Sequence, residues 1–216
     1  LWPQLKTMVE IIRQGLPNIV DLGSVSIGFF VLTFFVSRFG QEAVAAFGAA
    51  ARIEQLALLP IIGLDVATLS LIAQNNGAGL PRRVNETLAT AIRYGVIIML
   101  IGGTLITIFA VSLMGLFSDD PDIISIGTTY IRIRAWALIP TAFTFLPFSA
   151  MRGLKKPLHA LFLNLNRTVI LPIIGILVMV QLLGFGLVAI WWVTFVVAFL
   201  IAAIAYIHAR RLLPAP

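Results

Sequence analysis

Asp65 stands in the middle of an apolar run, Leu56 to Ala73, that is long enough to cross a bilayer. An ionised Asp at the centre of such a helix costs about 2.5–3.5 kcal/mol on insertion scales. A chain keeps one where it faces protein or a water-filled cavity, and such positions often mark ion or substrate pathways. Two chemistries are open to it: a protonation or cation site, or a buried partner for an arginine or a freed backbone N–H. Pro60 and Gly63 break the same run, and backbone groups released there can also meet a ligand. The pattern points to membrane transport rather than to a soluble enzyme.

Other polar residues share the apolar runs. Glu54, Asp65 and Asn76 are spaced eleven apart, which returns them to within about 20° of one helical face. They predict a polar stripe along the second span. Asn18, Asp21, Ser24 and Gly28 fall on one face of the first span. Asp21, near its end, is expected to reach the interface or pair with Arg93, with ion binding as the alternative. The fourth span carries Arg132 and Arg134, and Pro140 and Pro147 predict that it kinks. Asn164, Asn166 and Arg167 lie deep in the fifth. Arg134 and Arg167 need anionic partners, and Asp65 is the most central carboxylate available. An Asp–Arg pair there is either a structural bridge or a switch opened by protonation. Trp191, Trp192 and Tyr206 near span ends are expected to anchor at the interface. Phe29, Phe30, Phe34, Phe35, Phe143 and Phe145 are expected to face lipid, and Gly102-Gly103 to permit close helix packing.

The elements that must position these residues are legible in composition. Hydrophobic residues make up 60% of the 216 and charged residues 11%, against about 25% charged in a soluble domain. Six spans are predicted, at 14–38, 51–74, 88–113, 124–150, 158–181 and 185–208, giving one all-α transmembrane lobe over residues 1–216. Lys6, Arg13, Arg82, Arg83, Arg152, Lys155, Lys156, Arg210 and Arg211 fall on one set of alternating ends. The opposite set holds Arg38 and Arg52, an acidic loop at Asp119, Asp120 and Asp122, and an uncharged one at Gly184-Phe185-Gly186. The positive-inside rule then puts both termini in the cytoplasm.

An even number of spans lets a tandem copy enter in the same orientation, as parallel repeats. Leu1-Trp2-Pro3 takes the place of an initiator Met, and no signal-peptide layout follows. The chain is therefore expected to be the C-terminal half of a twelve-helix protein. The net charge of +6 is spent at span ends, so no nucleic-acid partner is expected. Without cysteine there is no disulfide or thiolate metal site. His159 and His208 lie near cytoplasmic ends, and neither His-Glu-x-x-His nor Gly-x-Ser-x-Gly occurs, which argues against an intramembrane enzyme.

The segment from Arg52-Ile53-Glu54 through Gly63-Leu64 to Gln74-Asn75-Asn76-Gly77-Ala78-Gly79, then Arg82-Arg83, resembles the multidrug and toxic compound extrusion (MATE) family. It is similar to the eighth helix and following loop of that twelve-helix fold. Gly15-Leu16-Pro17, Arg152-Gly153-Leu154 and Gly184-Phe185-Gly186 with Trp191 agree in order. The resemblance implies one lobe of a secondary antiporter, exporting amphipathic, often cationic compounds in exchange for H+ or Na+, with no cofactor. Some branches carry a Glu where this chain has Val25 and an Asp where it has Thr141. The chain thus looks closer to the branch resembling DNA-damage-inducible transporters, whose coupling acids lie in the N-terminal lobe. Asp65 is then supporting or substrate-facing.

The expected substrate and ion pathway comprises Asp65, Glu54, Asp21, Arg134, Asn164, Arg167 and Thr141. The implied partners are an N-terminal six-helix lobe or a second half, the substrate and the bilayer, at a bacterial inner membrane. The alternatives are a flippase for lipid-linked precursors, which Arg132, Arg134 and Arg167 favour, and a membrane subunit without transport activity.

Overall fold

The computed structural model describes the backbone of residues 5–215, and the side chains of that stretch apart from 5–7, 10, 11, 13, 14 and 18. Among the described residues there is no strand. The helices are α1 (Leu5–Val36), α2 (Gln41–Gly77), α3 (Pro81–Ile108), α4 (Ala110–Gly115), α5 (Pro121–Arg134), α6 (Leu138–Gly153), α7 (Pro157–Leu165), α8 (Leu171–Ile176) and α9 (Leu187–Leu212). A 3-10 turn, Ala135–Ala137, joins α5 and α6 into a fourth rod. Two π turns, Asn166–Ile170 and Leu177–Leu182, carry α7 and α8 into a fifth.

Five helical runs are long and apolar enough to cross a bilayer: Gly15–Phe39, Gln41–Gly77, Pro81–Ile108, Pro157–Leu182 and Leu187–Leu212. The fourth rod is not among them, because its break leaves segments of 14 and 16 residues.

Proline chemistry sets where the rods start and break. Pro81, Pro121 and Pro157 open α3, α5 and α7, where a missing N–H costs nothing. Asp120 caps α5, accepting from the N–H of Asp122 at 2.8 Å. Pro140 has no N–H for the Trp136 carbonyl, and the 3-10 turn falls on that residue. Pro172 likewise leaves the Thr168 carbonyl free, and a π turn forms there, with Leu171 N–H reaching the Asn166 carbonyl.

α2 starts ten residues before its expected span. No proline lies between Gln41 and Pro60, Ala43, Ala46 and Ala50 are strong helix formers that outweigh Gly48, and these three with Phe47 are buried. α2 packs on α3, α5 and α6, α6 packs on α3 and α9, and α1 rests mainly on α7 and the first π turn.

Two glycines mark the closest approaches to the backbone of another element. A methyl at Gly28 would overlap the Thr168 carbonyl oxygen freed by Pro172, and one at Gly103 would sit 2.7 Å from the Ala135 carbonyl oxygen in the 3-10 turn. At Gly102 a methyl would meet open space. Gly28→Ala and Gly103→Ala are each expected to lower stability by about 1–3 kcal/mol through overpacking. Gly102→Ala should leave the midpoint of an SDS unfolding titration unchanged. Equal midpoints for all three would show that these backbones are not tightly apposed.

Candidate charge network

The second span holds Glu54 and Asp65 on one face, as the eleven-residue spacing predicts, and that face meets the fourth rod. Glu54 is matched to α5 and Asp65 to α6, so the rods run in parallel and make two separate clusters. Asn76 ends α2, where its carbonyl accepts from Gly79 N–H at 3.2 Å.

The first cluster spans three helices. Arg152 Nη2 lies 3.0 Å from both carboxylate oxygens of Asp65, and Nη1 lies 3.6 Å from Asp21 Oδ2. The Ser149 hydroxyl donates to Asp65, at both its carboxylate and its carbonyl oxygen. Asp65, Asp21 and Arg152 are only 14–20% exposed, so one guanidinium is shared between two largely buried carboxylates. The Arg152 Nε–H is buried and has no acceptor among the described residues.

Asp21 continues the network toward the fifth rod. Asn164, itself buried, donates from Nδ2 to Asp21 Oδ1 at 2.7 Å and to Ser24 Oγ at 3.3 Å. Its Oδ1 accepts from Arg167 Nε at 3.2 Å, and that guanidinium lies over the Phe145 ring at 5.4 Å. Asp21, Ser24 and Gly28 all face this rod, as their spacing predicts; the side chain of Asn18 lies outside the described residues. Two carboxylates and two guanidinium groups thus balance, with one amide between Asp21 and Arg167. Arg167 forms no ion pair among the described residues.

The second cluster is Glu54 with Arg134 and Tyr130. Arg134 Nη2 to Glu54 Oε1 is 2.5 Å, and the Tyr130 hydroxyl donates to Oε2 at 2.5 Å. Arg134 Nη1 also donates to the Thr194 carbonyl of α9 at 3.3 Å. An aromatic layer closes it. Trp191 stacks on Phe47 at 5.6 Å and meets Tyr130 edge-on at 4.8 Å.

Several expectations are corrected here. Asp65 pairs with Arg152 of the last turn of α6, not with Arg134 or Arg167, because Arg134 lies level with Glu54. The cation of Asp21 is also Arg152; Arg93 is exposed. The Thr141 hydroxyl is occupied by the Ala137 carbonyl at 2.9 Å, as a helical hydroxyl in an apolar setting tends to be. Trp191 is 1% exposed, a core ring rather than an interfacial anchor, because α2 begins early enough to put Phe47 beside it. Trp192, the next residue, is exposed. Of the phenylalanines, Phe29, Phe30 and Phe34 are exposed, whereas Phe35 is buried and Phe145 lies beneath Arg167. Arg152, Ser149 and Tyr130 were not legible as site residues. The signal available for Arg152 was its place in the Arg152-Gly153 pair, at the end of a span that also carries polar residues.

A cleft of about 540 Å³ opens between α2 and α3, lined in part by Thr68, Gln74, Asn75, Arg83, Glu86 and Tyr94. None of the acids of the two clusters lines it.

The rods, their apolar exteriors and the buried charge pairs are those of a helical multi-pass membrane protein. The chain belongs to the MatE family, whose model matches residues 17–178. It is 30% identical over 141 residues to the FAD transporter of Shewanella oneidensis, covering 65% of this chain and 31% of that protein. It is 27% identical over 195 residues to multidrug export protein MepA of Staphylococcus aureus strain MSSA476, covering 88% and 41%. A solved MOP superfamily transporter from Pyrococcus furiosus shares the fold with a TM-score of 0.92 at 24% identity, over 97% of this chain and 47% of that one. The chain spans less than half the length of these relatives.

Proposed function

We propose that this chain is the C-terminal, six-span lobe of a secondary antiporter that exports amphipathic compounds in exchange for H+ or Na+. It works opposite a second lobe by alternating access, with both termini in the cytoplasm of a bacterial inner membrane. The observation that carries the reading is the sharing of Arg152 between Asp65 and Asp21. A guanidinium held by two carboxylates from different helices has two stable arrangements, and neutralising either acid selects one. A proton or Na+ on Asp65 leaves Arg152 to Asp21, which loosens α2 from α6 while α1 stays tied to α6. With Val25 and Thr141 where some branches place acids, the principal coupling acids belong to the other lobe, and this triad is the lobe's responding element. Asn164 and Arg167 extend that response to the fifth rod. Glu54 and Arg134 hold the opposite end of α2 fixed.

The multidrug export relatives favour an amphipathic cation as substrate. The FAD transporter relative, with Arg167 free of any ion pair among the described residues, favours a second reading in which the cargo is anionic. Inverted vesicles from bacteria expressing the intact protein separate the two when incubated in parallel with ethidium and with FAD. Ethidium uptake abolished by collapsing the pH or sodium gradient supports the first reading, FAD uptake alone supports the second, and uptake of neither would sink both.

A further inference from the structure

Every acidic residue of the chain lies at or before Asp122, so the ends of α6, α7 and α9 carry basic groups with no acid of their own. At that edge His159, in the first turn of α7, meets His208, near the end of α9. His159 Nδ1 and His208 Nε2 are 2.9 Å apart and the ring centroids are 4.9 Å apart. Lys156 precedes His159 by three residues, and its carbonyl accepts the His159 N–H at 3.3 Å. Arg211 follows His208 by three residues on α9, which places it on the same face. Lys156, His159 and Arg211 are all exposed. Asp21, on the α1 helix that packs against α7, is held by Arg152 and Asn164, and Glu86 of α3 is held by Arg82 at 2.8 Å.

The surface beside this cluster is apolar. On α7, Leu158 and Phe162 are exposed; on α9, Leu200, Ile204 and Ile207 form the same stripe. Followed along α9, one face passes from Leu200 and Ile204 to His208 and then Arg211. That is the order of surroundings met by a lipid running from its acyl chain to its headgroup.

We infer that Lys156, His159, His208 and Arg211 form a binding site for the phosphate of an anionic phospholipid, whose acyl chains lie against Leu158, Phe162, Ile204 and Ile207. The paired imidazoles share one proton across their contact, which leaves the neutral pair a single outward N–H. A phosphate oxygen accepts that outward N–H. Lys156 and Arg211 supply the flanking charge. The same charges oppose a metal ion between the two rings. The site requires only that the chain spans a membrane, so it stands independently of what is transported.

Native mass spectrometry of the intact protein in detergent, titrated with phosphatidylglycerol or phosphatidylcholine, tests this. Phosphatidylglycerol should bind more tightly, and K156Q/R211Q should weaken it about thirtyfold, since each basic side chain is worth roughly fivefold near an anionic surface. H159Q/H208Q should weaken it about tenfold, as expected for a lost hydrogen bond to a charged group, without altering phosphatidylcholine. R82Q/R83Q, at another basic helix start, should leave binding as in the parent. Equal affinity for the two lipids would overturn the proposal, as would competition by inorganic phosphate at the same concentration as lipid. Equal losses in all three variants, or Ni2+ binding that requires both histidines and excludes lipid, would overturn it too. If a double variant fails to fold, K156Q and R211Q made singly decide: each should weaken phosphatidylglycerol about fivefold, and unchanged affinity in both ends the proposal.

Discussion

Replacing Arg152 with Gln should sharply lower the amount of folded protein, whereas Asp65→Asn should leave abundance near the parent level and stop export. The asymmetry follows from stoichiometry. One guanidinium serves two carboxylates, so removing it strands both Asp21 and Asp65 at 14–16% exposure. Removing one partner of a buried pair costs about 3–5 kcal/mol because the remaining charge is left uncompensated. Removing Asp65's charge does not strand Arg152, which keeps Asp21 at 3.6 Å. The Asn side chain still accepts from Ser149 and from Arg152, so the loss is expected to be about 1 kcal/mol, the scale of one net hydrogen bond.

The double variant Asp65→Asn with Arg152→Gln sharpens the test. It leaves Asp21 alone, still hydrogen-bonded by Asn164 at 2.7 Å, and should regain part of the stability lost in Arg152→Gln. SDS unfolding titrations give the stabilities, and ethidium efflux at matched abundance gives the function. Full transport by Asp65→Asn would make the triad a structural bridge. Equal destabilisation by the two single variants would contradict the sharing of Arg152 between two acids.

How much of this was visible beforehand divides along a physical line. Features carried by one helix could be read directly. Asp65 stood out because a lone carboxylate in a span must be compensated, and the face shared by Glu54 and Asp65 follows from helical geometry. So does the face of Asp21, Ser24 and Gly28. Features set by the relative depth of two helices could not be read. From Glu54 to Asp65 the second span rises about 16 Å, while Arg134 and Arg152 are separated by about 27 Å of ideal helix. A 3-10 turn at Ala135–Ala137 interrupts the fourth rod between the two arginines, and the long Arg152 side chain makes up the rest of the difference by reaching back to Asp65. Pro140 announces a bend but not its size. Helical spacing alone therefore leaves Arg134 a partner for Asp65, whereas in the structure it belongs to Glu54. The early start of α2 misled in the same way about Trp191, whose stacking partner Phe47 was expected to lie in a loop. Arg152 was counted as a topology signal because it ends a span. A long side chain at a span end can reach back toward the bilayer centre as well as out of it.

Glu54→Gln and Arg134→Gln should each destabilise the lobe by about 3–5 kcal/mol, and their effects should be strongly non-additive. The two groups meet at 2.5 Å and are 16–17% exposed, and each has a further fixed partner: Tyr130 for the acid, the Thr194 carbonyl for the guanidinium. Either single change leaves a charge buried against the Phe47–Tyr130–Trp191 layer. Changing both removes the charges together, so the double variant should be more stable than the sum of the singles by at least about 2 kcal/mol. Tyr130→Phe keeps the packing on Trp191 and loses one bond to a charged acceptor, for about 1.5–3 kcal/mol.

These changes should act on stability far more than on transport, because this pair ties α2 to α5 and, through Thr194, to α9. It has one cation for one anion and, among the described residues, no second carboxylate within reach of Arg134. That difference in stoichiometry is what assigns the two clusters different roles. A cycle with additive energies would dissolve the pair as a unit. Export lost in Glu54→Gln at unchanged SDS midpoint would move the responding element to this cluster and away from Asp65.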